Sequence, residues 1–258
     1  MLRVEELWLR HKNQGNEVLK NLSFEADKGS ITTILGPNGS GKTSILKCIV
    51  GLWKNYTGRI LLDGRSIDGL SSRGRARLIS LVPQEHEPTF PYTLYDFVLL
   101  GRVAHVSLFS LPRKRDHEVT EEVLRTLGVW EFRNRPYTRM SGGERQLALI
   151  GRALAQETPC ILMDEPTSHL DFKNQLMVLK MIRKIADERK KTILITLHDP
   201  NLASLFSDKI IVISEGRKIV EGRPKEVISE EVLESVFGVK VKMVYLDGRF
   251  LISHSVSS

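Results

Sequence analysis

Eight consecutive residues, Gly36, Pro37, Asn38, Gly39, Ser40, Gly41, Lys42 and Thr43, fit the pattern G-x-x-x-x-G-K-[ST], the spacing of a loop that cradles phosphate. The glycines let the backbone turn tightly, so that successive N–H groups point into one concavity. A helix starting at the end of the loop adds the positive end of its dipole. Lys42 then reaches the outer phosphates of a nucleoside triphosphate, Thr43 offers a hydroxyl suited to Mg²⁺, and Ser44 continues the same turn. Far downstream two carboxylates stand side by side, Asp164 and Glu165. Asp164 follows four apolar residues, as a Mg²⁺-positioning carboxylate at the end of a buried strand must. Glu165 is the natural general base, able to polarise an attacking water near the γ-phosphate. A lone His198 reads as a structural histidine, but ending another apolar strand of the same sheet it is expected to contact the γ-phosphate. Gln84 gains a metal-facing or catalytic meaning only from its place in this set.

These side chains need elements to hold them. Residues 30–35 are rich in β-branched and apolar types and read as a buried strand. Ile45, Leu46, Ile49 and Val50 are spaced to give a helix one apolar face. Further strands are expected at 58–63, 79–83, 160–163 and 192–197, with 210–213 and 218–220 flanking a turn at Glu215 and Gly216. A long helix carries Leu176, Leu179, Ile182 and Ala186 at helical spacing. Strands alternating with helices build a parallel sheet whose ligands bind at the carboxyl ends of the strands. Gly36, Gln84, Asp164 and His198 all come directly after strands.

Around this core the character changes. Residues 1–28 alternate loosely about a polar turn near Asn13 to Asn16 and read as an antiparallel hairpin region. Residues 85–140, with prolines at 88, 91 and 112 and a helix after Asp116, read as a helical insertion. Val241, Met243 and Tyr245, then Phe250 and Ile252, make a terminal hairpin about Asp247 and Gly248. Ser141, Gly142, Gly143 and Glu144 form a capping box, Ser at the N-cap and Glu at N3. Capping leaves the two glycines unexplained, since each weakens a helix; close approach of a phosphate to the helix N-terminus explains them.

Composition narrows the classes. The 258 residues are 41% hydrophobic and 27% charged, ordinary for a globular protein able to bury a large core. No run approaches the roughly eighteen apolar residues of a membrane span, and the N-terminus does not read as a signal peptide. Cys48 and Cys160 read as small buried hydrophobes rather than a disulfide or zinc site, so a reducing cytosol is expected. The net charge of +7 is scattered, and no basic cluster is interleaved with aromatics as in single-strand binders. No nucleic-acid partner is therefore expected.

The motifs taken together resemble one family. Residues 36–43, Gln84, 140–146, 162–166, 168–171 and His198 occur in the order seen in ABC transporter ATPase subunits, over practically the whole chain. Finer similarity at 93–102, 154–156, 167–171, 198–203 and 239–253 looks like the ATPases of iron-siderophore, haem and cobalamin importers; those of molybdate and tungstate importers lie close by. The fold implied is α/β: a P-loop NTPase core, a mainly parallel sheet flanked by helices, with an N-terminal antiparallel β region and an inserted helical subdomain. Residues 1–238 would be the ATPase domain, its helical subdomain at about 85–155, and 239–258 a hairpin extension of the same domain.

The resemblance further implies ATP and Mg²⁺, the latter held by Thr43, Gln84 and Asp164. It implies a homodimer with two ATPs sandwiched head to tail, so that Lys42, Thr43, Gln84, Asp164, Glu165 and His198 of one copy face Ser141 and Gly143 of the other. Two transmembrane permease subunits, docked on the region from about 85 to 115, would move with dimer closure. A periplasmic or extracellular substrate-binding protein would act indirectly, and the chain would sit peripherally on the cytoplasmic side of the cell membrane. The aromatic-rich stretch Phe90, Tyr92, Tyr95 and Phe97 suits either a docking groove or plain subdomain core. Three positions depart from the family. Glu144 stands where Gln is common, Met140 replaces the usual Leu, and His11 is the nearest candidate for an adenine-stacking aromatic. A soluble ABC ATPase not tied to transport, or a kinase or GTPase using the same loop, are the alternatives; the latter leaves 141–146 and 168–171 unexplained.

Overall fold

A computed structural model describes residues 1–10, 16–84, 90–107, 110–246 and 249–254. The strands are β1 (Leu2–Arg10), β2 (Glu17–Ala26), β3 (Ile31–Leu35), β4 (Tyr56–Leu62), β5 (Arg65–Ser66), β6 (Ile79–Val82), β7 (Cys160–Met163), β8 (Thr192–Leu197), β9 (Lys209–Ser214), β10 (Arg217–Gly222), β11 (Val241–Leu246) and β12 (Arg249–His254). The α-helices are α1 (Lys42–Val50), α2 (Ser72–Ala76), α3 (Leu94–Leu99), α4 (Lys114–Thr126), α5 (Gly142–Ala155), α6 (Phe172–Arg189), α7 (Pro200–Phe206), α8 (Pro224–Val227) and α9 (Glu230–Phe237).

Three of these strands, β3, β7 and β8, are buried along their whole length, as apolar strands covered on both faces must be. They form the middle of a six-stranded sheet ordered β10-β9-β3-β8-β7-β6. It is parallel except for the antiparallel β9–β10 pair, so the expected parallel core is present with one antiparallel edge. Alternate residues serve two cores. Ile161 and Met163 of β7 face the helices of the insertion and α6. Cys160 and Leu162 face α1 and an antiparallel sheet ordered β2-β1-β4-β5. Helix α1 is thereby held between two sheets, which fixes the direction of the loop that begins it. Both cysteines are buried and their thiols are pushed up to about 12 by that burial, which keeps them inert.

The long helix α6 buries Val178, Leu179, Ile182, Ile185 and Ala186. Leu176, expected on this stripe, lies at its edge and is half-buried, because the buried face runs through 178, 182 and 185 instead. The aromatics of the insertion divide between core and surface. Phe97 is buried and stacks on Tyr137 with ring centroids 4.1 Å apart, whereas Phe90 and Tyr92 are exposed.

A buried ion pair braces the insertion internally, and its arginine reaches on to the segment that follows α5. Arg102 Nε donates to Asp116 Oδ1 at 2.9 Å, and its Nη1 donates to the Ala155 carbonyl at 2.6 Å and Glu157 Oε2 at 2.8 Å. Asp116 also accepts from the Arg113 N–H at 2.8 Å, capping α4. Burial alone would raise the Asp116 pKa, but the Arg113 N–H and the Arg102 guanidinium together outweigh it and hold the carboxyl below its ordinary value. The terminal hairpin β11–β12 lies on α7 and α9. Asn201 pairs with the Ile252 backbone as a strand would, through bonds of 2.8 and 3.2 Å, and Glu230 accepts from Met243 N at 2.7 Å. Its turn at 247–248 lies outside the described residues, as does most of the polar turn expected at 13–16.

Removing one partner of a buried pair strands the other charge. Asp116→Asn is therefore expected to cost about 3 kcal/mol in denaturant unfolding at neutral pH. A depressed folded pKa contributes stability above the unfolded carboxylate pKa, and that stability is lost as pH falls through the folded value. The gap between the variant and the parent should accordingly be full at neutral pH and shrink as the medium is acidified below the ordinary carboxylate range.

Candidate nucleotide-binding site

The glycine loop is shaped by collisions its residues avoid. A Cβ on Gly36 would lie 2.3 Å from the Ile213 carbonyl oxygen of β9, so only glycine lets β3 leave the sheet here. Gly41 has φ of 105°, and a Cβ on it would lie 2.7 Å from Leu19, a left-handed conformation that L residues disfavour. Lys42 opens α1 and folds back over the loop, its ammonium donating to the carbonyls of Gly36 at 2.9 Å and Pro37 at 3.1 Å. Lys42, Ser40 and Ser44 are buried, Thr43 and Pro37 are partly exposed, and Asn38 and Gly39 are open to solvent. The buried Ser40 hydroxyl has no hydrogen-bond partner among the described residues, which fits a phosphate oxygen supplied by a ligand.

Three distant segments meet on the carboxylate of a fourth. Glu165 Oε1 lies 3.3 Å from Lys42 Nζ, while Glu165 Oε2 lies 3.3 Å from Gln84 Nε2 and 3.4 Å from His198 Nδ1. The parallel order β3-β8-β7-β6 causes this, since the ends of these strands are neighbours along one edge of the sheet. Glu165 is nearly buried, whereas His198 is half exposed, placing the histidine at the mouth. Asp164 extends β7 through an N–H bond to the Val82 carbonyl at 2.9 Å and is itself buried. Its Oδ1 accepts from Thr196 Oγ1 at 2.7 Å, and the same hydroxyl accepts from the Glu165 N–H at 2.8 Å. Thr196 was not among the residues picked from sequence. Its only signal there is a hydroxyl in an otherwise apolar strand end.

The donors proposed for Mg²⁺ are a hydroxyl at Thr43, an amide at Gln84 and a carboxylate at Asp164. All offer oxygen, the chemistry a hard cation requires, and Mg²⁺ ordinarily takes few protein ligands beside phosphate oxygens. His11, the adenine-stacking candidate, lies outside the described residues.

Ser141, Gly142 and Gly143 lie elsewhere. Ser141 caps α5: its Oγ accepts from Glu144 N at 3.3 Å and its N–H donates to Glu144 Oε2 at 2.8 Å. That N–H bond, with Arg135 at 3.2 Å, keeps the Glu144 carboxyl below its ordinary pKa. Glu144 is thus engaged in capping. Gly143 has a packing reason that sequence did not show: a Cβ there would lie 2.6 Å from Asn174 Oδ1 of α6. Gly142 would meet only Leu170, at an ordinary 3.5 Å, and it and Ser141 are exposed. Among the described residues no hydrogen bond joins these three to the glycine loop.

A mainly parallel sheet, a glycine loop opening a helix behind its lysine, and polar strand ends converging beside that loop define a P-loop nucleotide-binding cassette. The model of the ABC transporter family matches residues 19–168. The chain is 38% identical over 239 residues to an uncharacterised ABC transporter ATP-binding protein of Methanocaldococcus jannaschii, covering 93% of this chain and 92% of that one. It is 35% identical over 227 residues to the iron(3+)-hydroxamate import ATP-binding protein of Bacillus subtilis, covering 88% and 84%. Among solved structures, one described as an inward-facing metal-chelate type ABC transporter superposes with a TM-score of 0.83 at 30% identity, over 97% of this chain and 94% of that chain. A dimeric cassette bound to ADP and Pi superposes at 0.75 with 27% identity, over 87% and 99%. The chain belongs to the ABC transporter family and is one of its ATP-binding ATPase cassettes.

Lys42→Ala should weaken ATP binding by roughly tenfold or more, the loss of charge-assisted bonds to phosphate. Titration with a fluorescent ATP analogue, alongside circular dichroism to confirm folding, reads the effect; unchanged affinity would remove Lys42 from the site. Gly143→Ala should lower thermal stability through the clash with Asn174, and Gly143→Ala with Asn174→Ala should recover it. Hydrolysis that stays low in the recovered double variant would assign the glycine to nucleotide approach as well as packing.

Proposed function

We propose that this chain is the ATP-hydrolysing subunit of an importer that carries a metal chelate, of iron-siderophore, haem or cobalamin type, through a membrane permease. The observation that carries the hydrolytic reading is the convergence of Lys42, Gln84 and His198 on the Glu165 carboxylate, each within 3.4 Å. Lys42, already aimed by two loop carbonyls, binds the outer phosphates of ATP. Glu165 orients and polarises the attacking water, and His198 at the mouth contacts the γ-phosphate. The residues at 36–44 wrap the phosphates. Thr43, Gln84 and Asp164 would hold Mg²⁺, which supplies neutralisation of phosphate charge when bound. The exposed Ser141 and Gly142, with Gly143, complete the nucleotide pocket of a second copy, so that two chains close around two ATPs. Dimeric cassettes among similar structures support this arrangement.

The chelate cargo is supported by relatives named for import of iron(3+)-hydroxamate, petrobactin and cobalamin, and by the metal-chelate type transporter that superposes over nearly the whole chain. Permease docking is supported by a groove of about 870 Å³ between the core and the insertion, lined by Tyr92, Leu99, Leu100, Val103 and Val106 among others. Leu100 and Val103 are exposed there, as a surface that buries against a partner requires. Among the described residues no helix is long and apolar enough to cross a membrane, so the proposed attachment to the cytoplasmic face is peripheral, through the permease. A substrate-binding protein on the opposite side would deliver the chelate. Residues 1–238 and the hairpin at 239–258 act in this proposal as one ATPase domain.

Glu165→Gln should retain ATP binding, slow turnover by roughly a hundredfold or more, and accumulate an ATP-bound dimer seen by size-exclusion chromatography with light scattering. Turnover at the parent rate would remove Glu165 from its role. The cargo is tested by uptake of radiolabelled iron-siderophore, haem and cobalamin in vesicles carrying this subunit with its permease. Uptake of molybdate with none of the three would overturn the chelate assignment.

A further inference from the structure

The two neighbouring carboxylates are tied together by a single hydroxyl. In the parallel pairing of β7 with β8, Met163 lies opposite Ile195, so the next residue out, Asp164, comes beside Thr196. Thr196 is fully buried. Its one proton goes to Asp164 Oδ1 at 2.7 Å and a lone pair takes the Glu165 N–H at 2.8 Å, a complementary use of one donor and one acceptor. Glu165 has φ of 42°, a left-handed conformation that a non-glycine residue keeps only where its surroundings hold it. The restraints are visible on both sides of the residue. Its N–H is held by Thr196, and its carbonyl accepts from Ser168 N at 3.0 Å and Ser168 Oγ at 2.8 Å. The backbone reversal at Glu165 turns its side chain off the line of β7 toward Lys42, Gln84 and His198.

Packing alone does not call for this hydroxyl. The rest of β8 after Thr192 is apolar, and valine would fill the same space. We infer that Thr196 is a positioning residue for hydrolysis, its hydroxyl setting the rotation of the Asp164 carboxylate and holding the Glu165 peptide in the conformation that aims its side chain. This rests on the roles proposed above for Asp164 and Glu165.

The test uses the full chain with Thr196→Val and Thr196→Ser. Thr196→Val should lower the single-turnover hydrolysis rate about tenfold or more while KM for ATP stays unchanged, the signature of an interaction expressed in the transition state. Its affinity for ATP in EDTA should match the parent, and amide hydrogen exchange at Glu165 should accelerate, because the N–H loses its acceptor. Thr196→Ser, which keeps the hydroxyl, should restore both rate and protection. The inference is overturned if Thr196→Val hydrolyses like the parent, if Thr196→Ser is equally impaired, or if metal-free affinity falls in step with the rate. Glu165→Gln run in parallel separates the two levels. A fully active Glu165→Gln defeats the assignment of the site, whereas an inactive one beside a normal Thr196→Val defeats this inference alone.

Discussion

The ion pair between Lys42 and Glu165, 3.3 Å apart and largely shielded from water, is the constraint on which the site depends. Two charges removed from solvent are costly, and their mutual attraction offsets that cost only when the remaining polar capacity is also satisfied. Here it is. The ammonium has two loop carbonyls as well as the carboxylate, and the carboxylate has Gln84 and His198. Such a pair is a poor source of stability but a good way to hold reactive groups ready. Each partner of Lys42 and Glu165 is a group that phosphate or water can replace, so binding exchanges one set of polar contacts for another.

That pair exists because of how the sheet is covered. Burial of β3, β7 and β8 on both faces makes their ends the first places where the chain can present polar groups. Helix α1, packed between two sheets, carries Lys42 at its first turn and cannot turn away without disturbing both. Rigid secondary structure therefore positions groups from residues 42, 84, 165 and 198, even though each belongs to a loop or an element end. A site built this way needs little reorganisation at the moment of reaction.

The glycines at 142 and 143 show two demands meeting at one helix start. Gly143 lets α5 approach Asn174, and Gly142 keeps the start open to solvent beside an intact capping box. Within one chain this helix start makes no bond to the glycine loop among the described residues. The groove beside Leu100 and Val103 is likewise open to solvent. Nucleotide pocket and groove flank the same insertion, which Arg102 joins to Ala155 and Glu157.

Local pattern was enough for much of this protein. The G-x-x-x-x-G-K-[ST] spacing, the apolar runs at 160–163 and 192–197 and the polar residues that end them are short-range features, and the strands appear at those residues. Hairpins at both ends and the helical insertion were legible for the same reason: alternation, helical spacing and turn residues act over a few positions. What the sequence by itself could not decide depends on which strands become neighbours. Thr196 acquires a role only because β8 lies beside β7 in a register that puts it next to Asp164. Gly143 acquires its second reason only because α6 passes over α5, and the aromatics of the insertion are sorted into buried and exposed only by packing. Residue types and spacing determined the chemistry available to the chain. The tertiary structure decided the geometry, because contacts between residues tens of positions apart are set by sheet order and packing, which no local pattern encodes.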